Sequence, residues 1–211
     1  MSRRGLLLAV SLPALVAAAV LGGLLATRES SSTRVATAPA SPYRGSMHPG
    51  VIRLPSFTLR DYTGKLVSSR DLRGSVVVLT FLDTDCKESC PVIAGVIGAA
   101  IPRLSAGERQ HVASLALTVN PSADSPRTVR RFLRQRGALG KLDFLLGSVN
   151  TLEPVWRAFQ ILSAHESGDP NIHSAPVRIY DRHGVWVSTL HAGVDLTAAN
   201  LVHDVREALR A

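Results

Sequence analysis

The chain reads as an α/β domain built on a sheet with parallel members, preceded by an apolar segment and a linker. Three observations lead there. Two short apolar runs, the β-branched Ser75 to Leu82 and then Val112 to Val119, are each followed by a stretch long enough for a helix, and a strand, helix, strand, helix order argues for parallel strands. A hairpin pattern stands on either side of that core, and a length of 211 residues with 45% hydrophobic side chains suffices for one domain of ordinary size plus an appendage.

In chain order, Arg3-Arg4 precede an uncharged, mostly apolar run of 22 residues from Gly5 to Ala26, long enough to span a bilayer as a transmembrane helix. The arginines should stay on the cytoplasmic side, with the rest of the chain exported to the periplasm or the outer face of the cell membrane. A cleaved signal peptide is the competing reading, because small residues such as Ala17-Ala18-Ala19 suit a cleavage site. Ser2-Arg3-Arg4-Gly5-Leu6-Leu7 is also similar to a twin-arginine export signal. Residues 1–26 are therefore read as a signal anchor and residues 27–50, rich in Ser, Thr, Ala and Pro without an apolar period, as a flexible linker. His48 in that linker is read as solvated.

The folded domain is expected over residues 51–211. Phe57 to Asp61 and Lys65 to Val67 alternate about the turn signal Tyr62-Thr63-Gly64 and form a hairpin. The strand Ser75 to Leu82 leads into a helix that runs to about Leu104. The strand Val112 to Val119 ends at Asn120-Pro121, and Ser125-Pro126 supply the N-cap and first position of the next helix. Leu152 to Leu162 gives a short helix. Pro176 to Tyr180 and Val185 to Thr189 flank Asp181-Arg182-His183-Gly184 as a second hairpin, and Asp195 to Arg210 closes the chain as an amphipathic helix. With the two leading arginines set aside, 22 basic against 16 acidic side chains leave +6 on the exported part. The densest basic run, Arg127 to Arg136, has apolar residues at helical spacing, so it is a solvated helix face and no nucleic-acid site.

The chemistry concentrates in Phe81-Leu-Asp-Thr-Asp-Cys86-Lys-Glu-Ser-Cys90-Pro91, which holds the only two cysteines of the chain. They lie where a strand hands over to a helix N-terminus, whose unpaired N–H groups and dipole favour a thiolate, with Lys87 able to add to the effect. If the segment is helical, the two cysteines stand at i and i+4 on one face, close enough to hold one ion or to close a disulfide. A structural disulfide staple is the bland alternative, yet so short a loop gains little from closure.

Phe81-x-x-Thr84-x-Cys86-x-x-x-Cys90-Pro91, then Asn120-Pro121-x-x-Asp124-Ser125-Pro126, then His173-Ser174 leading into a strand that ends Tyr180-x-x-x-Gly184, together resemble the Sco/SenC family of copper-binding, thioredoxin-like proteins. The likeness runs from about Phe57 to Arg210. It implies a thioredoxin-like fold with a central mixed sheet flanked by helices, a single N-terminal membrane anchor, and copper held by Cys86, Cys90 and His173. It further implies copper delivery to the binuclear copper centre of a cytochrome c oxidase. The alternative function is an extracytoplasmic thiol:disulfide oxidoreductase acting on partner cysteines, with Cys86 attacking and Cys90 resolving. Thiolates select Cu(I) and imidazole accepts either oxidation state, so the implied set suits copper as Cu(I) and Cu(II). Two positions depart from the family pattern: Lys87 stands where Pro is frequent, and Asn120 where Asp is frequent. Ala175-Pro176 stands about where thioredoxins keep a cis-proline facing the dithiol. The remaining histidines, His111, His165, His183, His191 and His203, are read as surface side chains.

Overall fold

Strand β3, Val76–Leu82, is buried along its whole length, and its alternating side chains feed two separate cores. Val76, Val78 and Leu82 point to one face of the sheet, and Val77, Leu79 and Phe81 to the other. A β-branched strand covered on both faces has no polar side to offer water, which explains its unbroken apolar run. The computed structural model describes residues 41–47 and 50–211. The expected transmembrane segment and most of the expected linker lie outside the described residues, and among those described no helix is long and apolar enough to cross a membrane.

The remaining strands are β1 Thr58–Asp61, β2 Leu66–Ser68, β4 Val112–Thr118, β5 Asp143–Leu146, β6 Val177–Tyr180 and β7 Trp186–Leu190. They form one mixed sheet in the order β2-β1-β5-β4-β3-β6-β7. β3, β4 and β5 run parallel, while β1 and β6 join antiparallel on either side. The helices are α1 Ser89–Ala100, α2 Ala106–Arg109, α3 Pro126–Gln135, α4 Val149–Phe159, α5 Ala164–Ser167 and α6 Ala198–Arg210. α1, α3 and α6 cover the face carrying Val76 and Val78, through Ile93, Ile97, Val129, Leu133, Leu201 and Val205. α4 covers the other face with Leu152, Trp156 and Phe159. The fold is thus the expected α/β arrangement of a mixed sheet flanked by helices.

Both hairpins turn on the same device. Asp61 Oδ1 accepts from the N–H groups of Thr63 and Lys65, and Asp181 Oδ1 from those of His183 and Val185. Gly64 and Gly184 supply the positive φ that closes each turn, 95° and 74°.

Several boundaries differ from expectation for local reasons. α1 stops at Ala100 and gives way to a 3-10 turn, Ile101–Arg103, because Pro102 cannot continue the ladder. α4 begins and ends three residues earlier than expected, since Ser148 caps it by accepting from Thr151 N–H and Gln160 ends it in the left-handed region. β5 was not expected. Ser41–Met47, within the stretch read as linker, docks on the domain: the N–H groups of Arg44 and Gly45 donate to Asp204 on α6 at 2.8 and 2.9 Å, and Ser46 pairs with Thr189.

Candidate metal centre

At the carboxyl end of β3 the chain leaves the sheet in a loop, residues 83–88, and enters α1 at Ser89. Cys86 sits in that loop and Cys90 in the first helical turn, so the i, i+4 geometry of a single helix does not apply. The loop brings the sulfurs together instead. Glu88 at the N-cap makes no side-chain cap, which leaves the N–H groups of this helix start to the Cys86 sulfur. Both cysteines are buried and unbridged.

The third member arrives from far along the chain. His173 lies just before β6, which pairs antiparallel with β3 and so carries its leading loop to the cysteine end of the sheet. The donor atoms of Cys86, Cys90 and His173 all lie within 4.8 Å of one another, and among the described residues no other group of three or more His, Cys, Asp or Glu side chains is gathered in this way. Cys90 Sγ stands 3.3 Å from His173 Nε2. His173 Nδ1 stands 3.2 Å from the carbonyl oxygen of Ser174. A carbonyl can only accept, so Nδ1 carries a proton and Nε2 is the nitrogen presented to the sulfurs. Of the other described histidines, His111, His165, His183 and His191 are exposed and His203 is half-buried against Asp204.

The two thiols are unequal. The hydrogen bond from Cys90 is the main cause that drives the Cys86 pKa far below the ordinary thiol value; it overcomes burial and is helped by His173 and the N–H groups of Cys90 and Glu88. The same bond, together with burial, pushes Cys90 far up. Cys86 therefore carries the charge and Cys90 the proton. Lys87 is not among the largest causes of the lowered Cys86 pKa; its backbone N–H donates to Asn171 Oδ1 at 3.1 Å, which ties the cysteine loop to the histidine loop. Burial by itself would lower the His173 pKa, but the hydrogen bond to Cys86, the Ser174 carbonyl and the charges of Cys86 and Asp83 outweigh it, and the pKa is raised.

A polar layer beneath the loop holds it in place, and sequence reasoning assigned it no role. Asp83 is fully buried and accepts from Asp85 N–H at 2.7 Å and from Asn120 Nδ2 at 2.9 Å. An aspartate at position 120 would set a second carboxylate against Asp83, so the amide found here turns a repulsion into a hydrogen bond. Asp124 Oδ1 accepts from Thr84 N–H at 3.0 Å, and its Oδ2 from the Thr118 hydroxyl at 2.6 Å. Burial raises Asp124 to about 6, against the hydrogen bonds from Thr118 and Thr84. The signal for Thr84, Asn120 and Asp124 was their place in the quoted motifs; Asp83 falls on an unspecified position and had none. The Ala175–Pro176 bond is trans, as is every described peptide bond, so the expected cis-proline is absent.

The model of the SCO1/SenC family matches residues 49–210. The chain belongs to the SCO1/SenC family. An SCO2-like protein of Rickettsia typhi is 24% identical over 157 residues, covering 72% of this chain and 75% of the relative. The structure of ScoI from Bradyrhizobium japonicum with copper bound superposes with a TM-score of 0.60 at 22% identity, over 75% of this chain and 100% of that one. BsSco, described with a disulfide switch and as a member of the Sco family of cytochrome c oxidase assembly proteins, superposes with a TM-score of 0.64 at 22% identity, over 78% of this chain and 98% of that one. These superpositions place this SCO1/SenC protein in the thioredoxin-like fold.

Proposed function

We propose that this SCO1/SenC protein is a membrane-tethered copper carrier that holds one copper ion on Cys86, Cys90 and His173 and delivers it to the binuclear copper centre of a cytochrome c oxidase. The observation that carries the reading is the convergence of two sulfurs and one imidazole nitrogen within 4.8 Å of one another. The donor set suits the ion: soft thiolates take Cu(I), and imidazole accepts both oxidation states. Three ligands leave the metal short of the fourfold cage of structural zinc, which suits an ion that has to be passed on. Copper bound in ScoI and the assembly role of the family of BsSco support the reading. The apolar run Gly5 to Ala26 would serve as the tether, and one structural neighbour is described as a family lipoprotein.

Within this centre each residue has a separable task. Ser174 C=O keeps the Nδ1 proton in place and so presents Nε2; Cys86 is ready as a thiolate; Cys90 gives up its proton when copper enters. The purified protein in the reduced state should bind one copper ion per chain. Cys86→Ser and Cys90→Ser should each abolish tight Cu(I) binding in competition with a chelator, and His173→Ala should weaken Cu(II) binding most. If His173→Ala leaves both affinities and the copper spectrum unchanged, the third ligand is wrongly assigned.

The inequality of the thiols favours a second reading, a thiol:disulfide oxidoreductase with Cys86 attacking and Cys90 resolving. The two readings separate on one titration. Copper that binds only the dithiol makes it harder to oxidise, by about 30 mV for each ~1.4 kcal/mol of binding free energy. A potential indifferent to Cu(I) would favour the oxidoreductase.

A further inference from the structure

Beside the metal centre lies a groove of about 540 Å³, lined among others by Ser89, Ser174, Pro176, Arg178 and Trp186. Ser89 precedes Cys90, and Ser174 follows His173, so one end of the groove is made by the neighbours of the site itself. Arg178 is what makes it unusual. Its side chain comes from β6, which lies between β3 and the edge strand β7; the residue is 9% exposed, and its guanidinium lies 4.3 Å from the centre of the Trp186 ring and 5.8 Å from that of Phe81. Nη1 donates to the Phe159 carbonyl at 2.8 Å, while the buried Nε has no partner. Tyr180 beside it is a hydroxyl whose pKa burial raises, against the charge of Arg178 and a hydrogen bond from it, and no carboxylate of the described residues pairs with the guanidinium. A guanidinium charge this far from water without a counter-ion is costly.

Among the polar side chains of the rim around the groove and the metal centre, such as Lys87, Glu88 and Gln160, stand four exposed apolar ones. Val92, two residues after Cys90, is 50% exposed; Ile172, next to His173, 56%; Leu162, whose N–H donates to Ser174 Oγ, 46%; and Met47, which lines the groove, 50%. Large apolar side chains left in water near a buried cation, interspersed with polar ones, describe a protein-docking surface with one charged anchor. The net charge of +6 left on the exported part, 22 basic against 16 acidic side chains, favours an acidic partner on approach.

We propose that this groove seats an extended, carboxylate-bearing segment of the protein that exchanges copper with this one, with the carboxylate paired to Arg178 and the apolar side chains covering the rim. The identity of that partner rests on the copper-carrier reading above; the chemistry of the groove does not. A guanidinium stacked on Trp186 offers its remaining edge to a carboxylate, and such charge-assisted pairing is stronger than a neutral hydrogen bond. The pairing would place the partner's backbone alongside Ser174 and Ser89, within reach of the sulfurs and the imidazole.

The test uses the full chain in detergent, reduced, with and without Cu(I). The probes are fluorescein-labelled, end-capped heptapeptides of apolar residues around a central Glu or its isostere Gln. Binding is read by anisotropy. The Glu member of each pair should bind about tenfold more tightly, equivalent to about 1.4 kcal/mol, and the preference should shrink as salt is raised. Arg178→Gln should erase the preference without changing copper affinity, and Arg178→Lys, which keeps the charge, should retain part of it; near-ultraviolet circular dichroism checks that both variants fold. The proposal is overturned if no peptide of the set binds, if Glu and Gln bind equally to the wild type, or if Arg178→Gln keeps the preference. Peptide binding that emerges only after residues 1–40 are removed would assign the groove to the chain's own leader and overturn the partner. A Glu preference in a protein that fails to bind copper would leave the groove standing and refute the copper reading alone.

Discussion

Single side chains near the centre set two measurable pH dependences. Asp124, raised to about 6 chiefly by burial, keeps a proton that the unfolded chain has already released at about pH 4. Between those values the unfolded state binds fewer protons than the folded one, so stability falls as pH rises across that window and levels off above it. Asp124→Asn retains an acceptor for Thr84 N–H and should flatten that segment of the profile, removing a slope worth about 3 kcal/mol from end to end, read from urea unfolding at a series of pH values. Equal slopes in the two proteins would place the carboxylate in an ordinary environment. Cys86 works in the opposite sense. Its pKa is lowered, so its contribution is full above the unfolded thiol's pKa and is lost as pH falls through the folded value. The reduced, copper-free protein should show the ultraviolet absorbance of one thiolate at neutral pH, persisting to below about pH 5. Cys86→Ser should remove that signal and His173→Ala should move its midpoint upward. Two protonated thiols at neutral pH would refute the assignment.

At the scale of elements, α1 carries Cys90 of the centre, and its two mid-helix glycines are not equivalent. A methyl group on Gly98 would lie 2.8 Å from the carbonyl oxygen of Gly137 and 3.0 Å from Ala138 Cα, so α1 packs backbone to backbone against the turn after α3. Nothing lies within 4 Å of the same position on Gly95. Helix propensity favours alanine over glycine by up to about 1 kcal/mol at either site. Gly95→Ala should therefore stabilise the protein by a fraction of that, whereas Gly98→Ala should destabilise it by about 2 kcal/mol through overpacking. Chemical denaturation of the reduced protein measures both, and a stabilising Gly98→Ala would show that the turn gives way. Because the contact sets how α1 stands on the sheet, Gly98→Ala should also weaken Cu(I) binding, through displacement of Cys90 from Cys86.

Over the whole molecule, residues 41–47 are held to the domain at one buried carboxylate and by the pairing of Ser46 with Thr189. Asp204 accepts from Arg44 N–H, Gly45 N–H and the Ser188 hydroxyl at 2.8, 2.9 and 2.6 Å, and its Oδ1 lies 2.9 Å from His203 Nδ1. The approach is close: a Cβ on Gly45 would fall 2.5 Å from the Thr189 carbonyl oxygen. Asp204→Ala leaves those donors without an acceptor and should cost about 3 kcal/mol. Its more specific consequence is release of the segment, visible as rapid amide exchange at residues 44–46 and tryptic cleavage after Arg44 in an otherwise folded protein. Protection unchanged at those amides would mean that the pairing of Ser46 with Thr189 suffices.

Much of this was present in local sequence. The strands β3 and β4 were legible because short apolar runs of strand length, bounded by polar or turn residues, have few alternatives, and both hairpins because Asp-x-x-Gly is itself the turn. The cysteines declared the centre by lying between a strand and a helix start. His173 stood out by family resemblance, since nothing in its neighbourhood marks it, and only the antiparallel pairing of β6 with β3 carries it to the sulfurs. The features that were not legible have no local signature. β5 is four residues long and exists because β4 and β1 offer edges to pair with. Arg178 reads as one polar residue in a strand, and its burial under Trp186 depends on which face of the sheet it meets. Cys86 sits outside α1 because Asn120, Asp124 and Asn171, distant in sequence, hold its loop. Periodicity and turn chemistry act over a few residues and determine which elements form; hydrogen bonds between distant segments determine where those elements place a sulfur, an imidazole or a buried charge, and they come into being only with the tertiary fold.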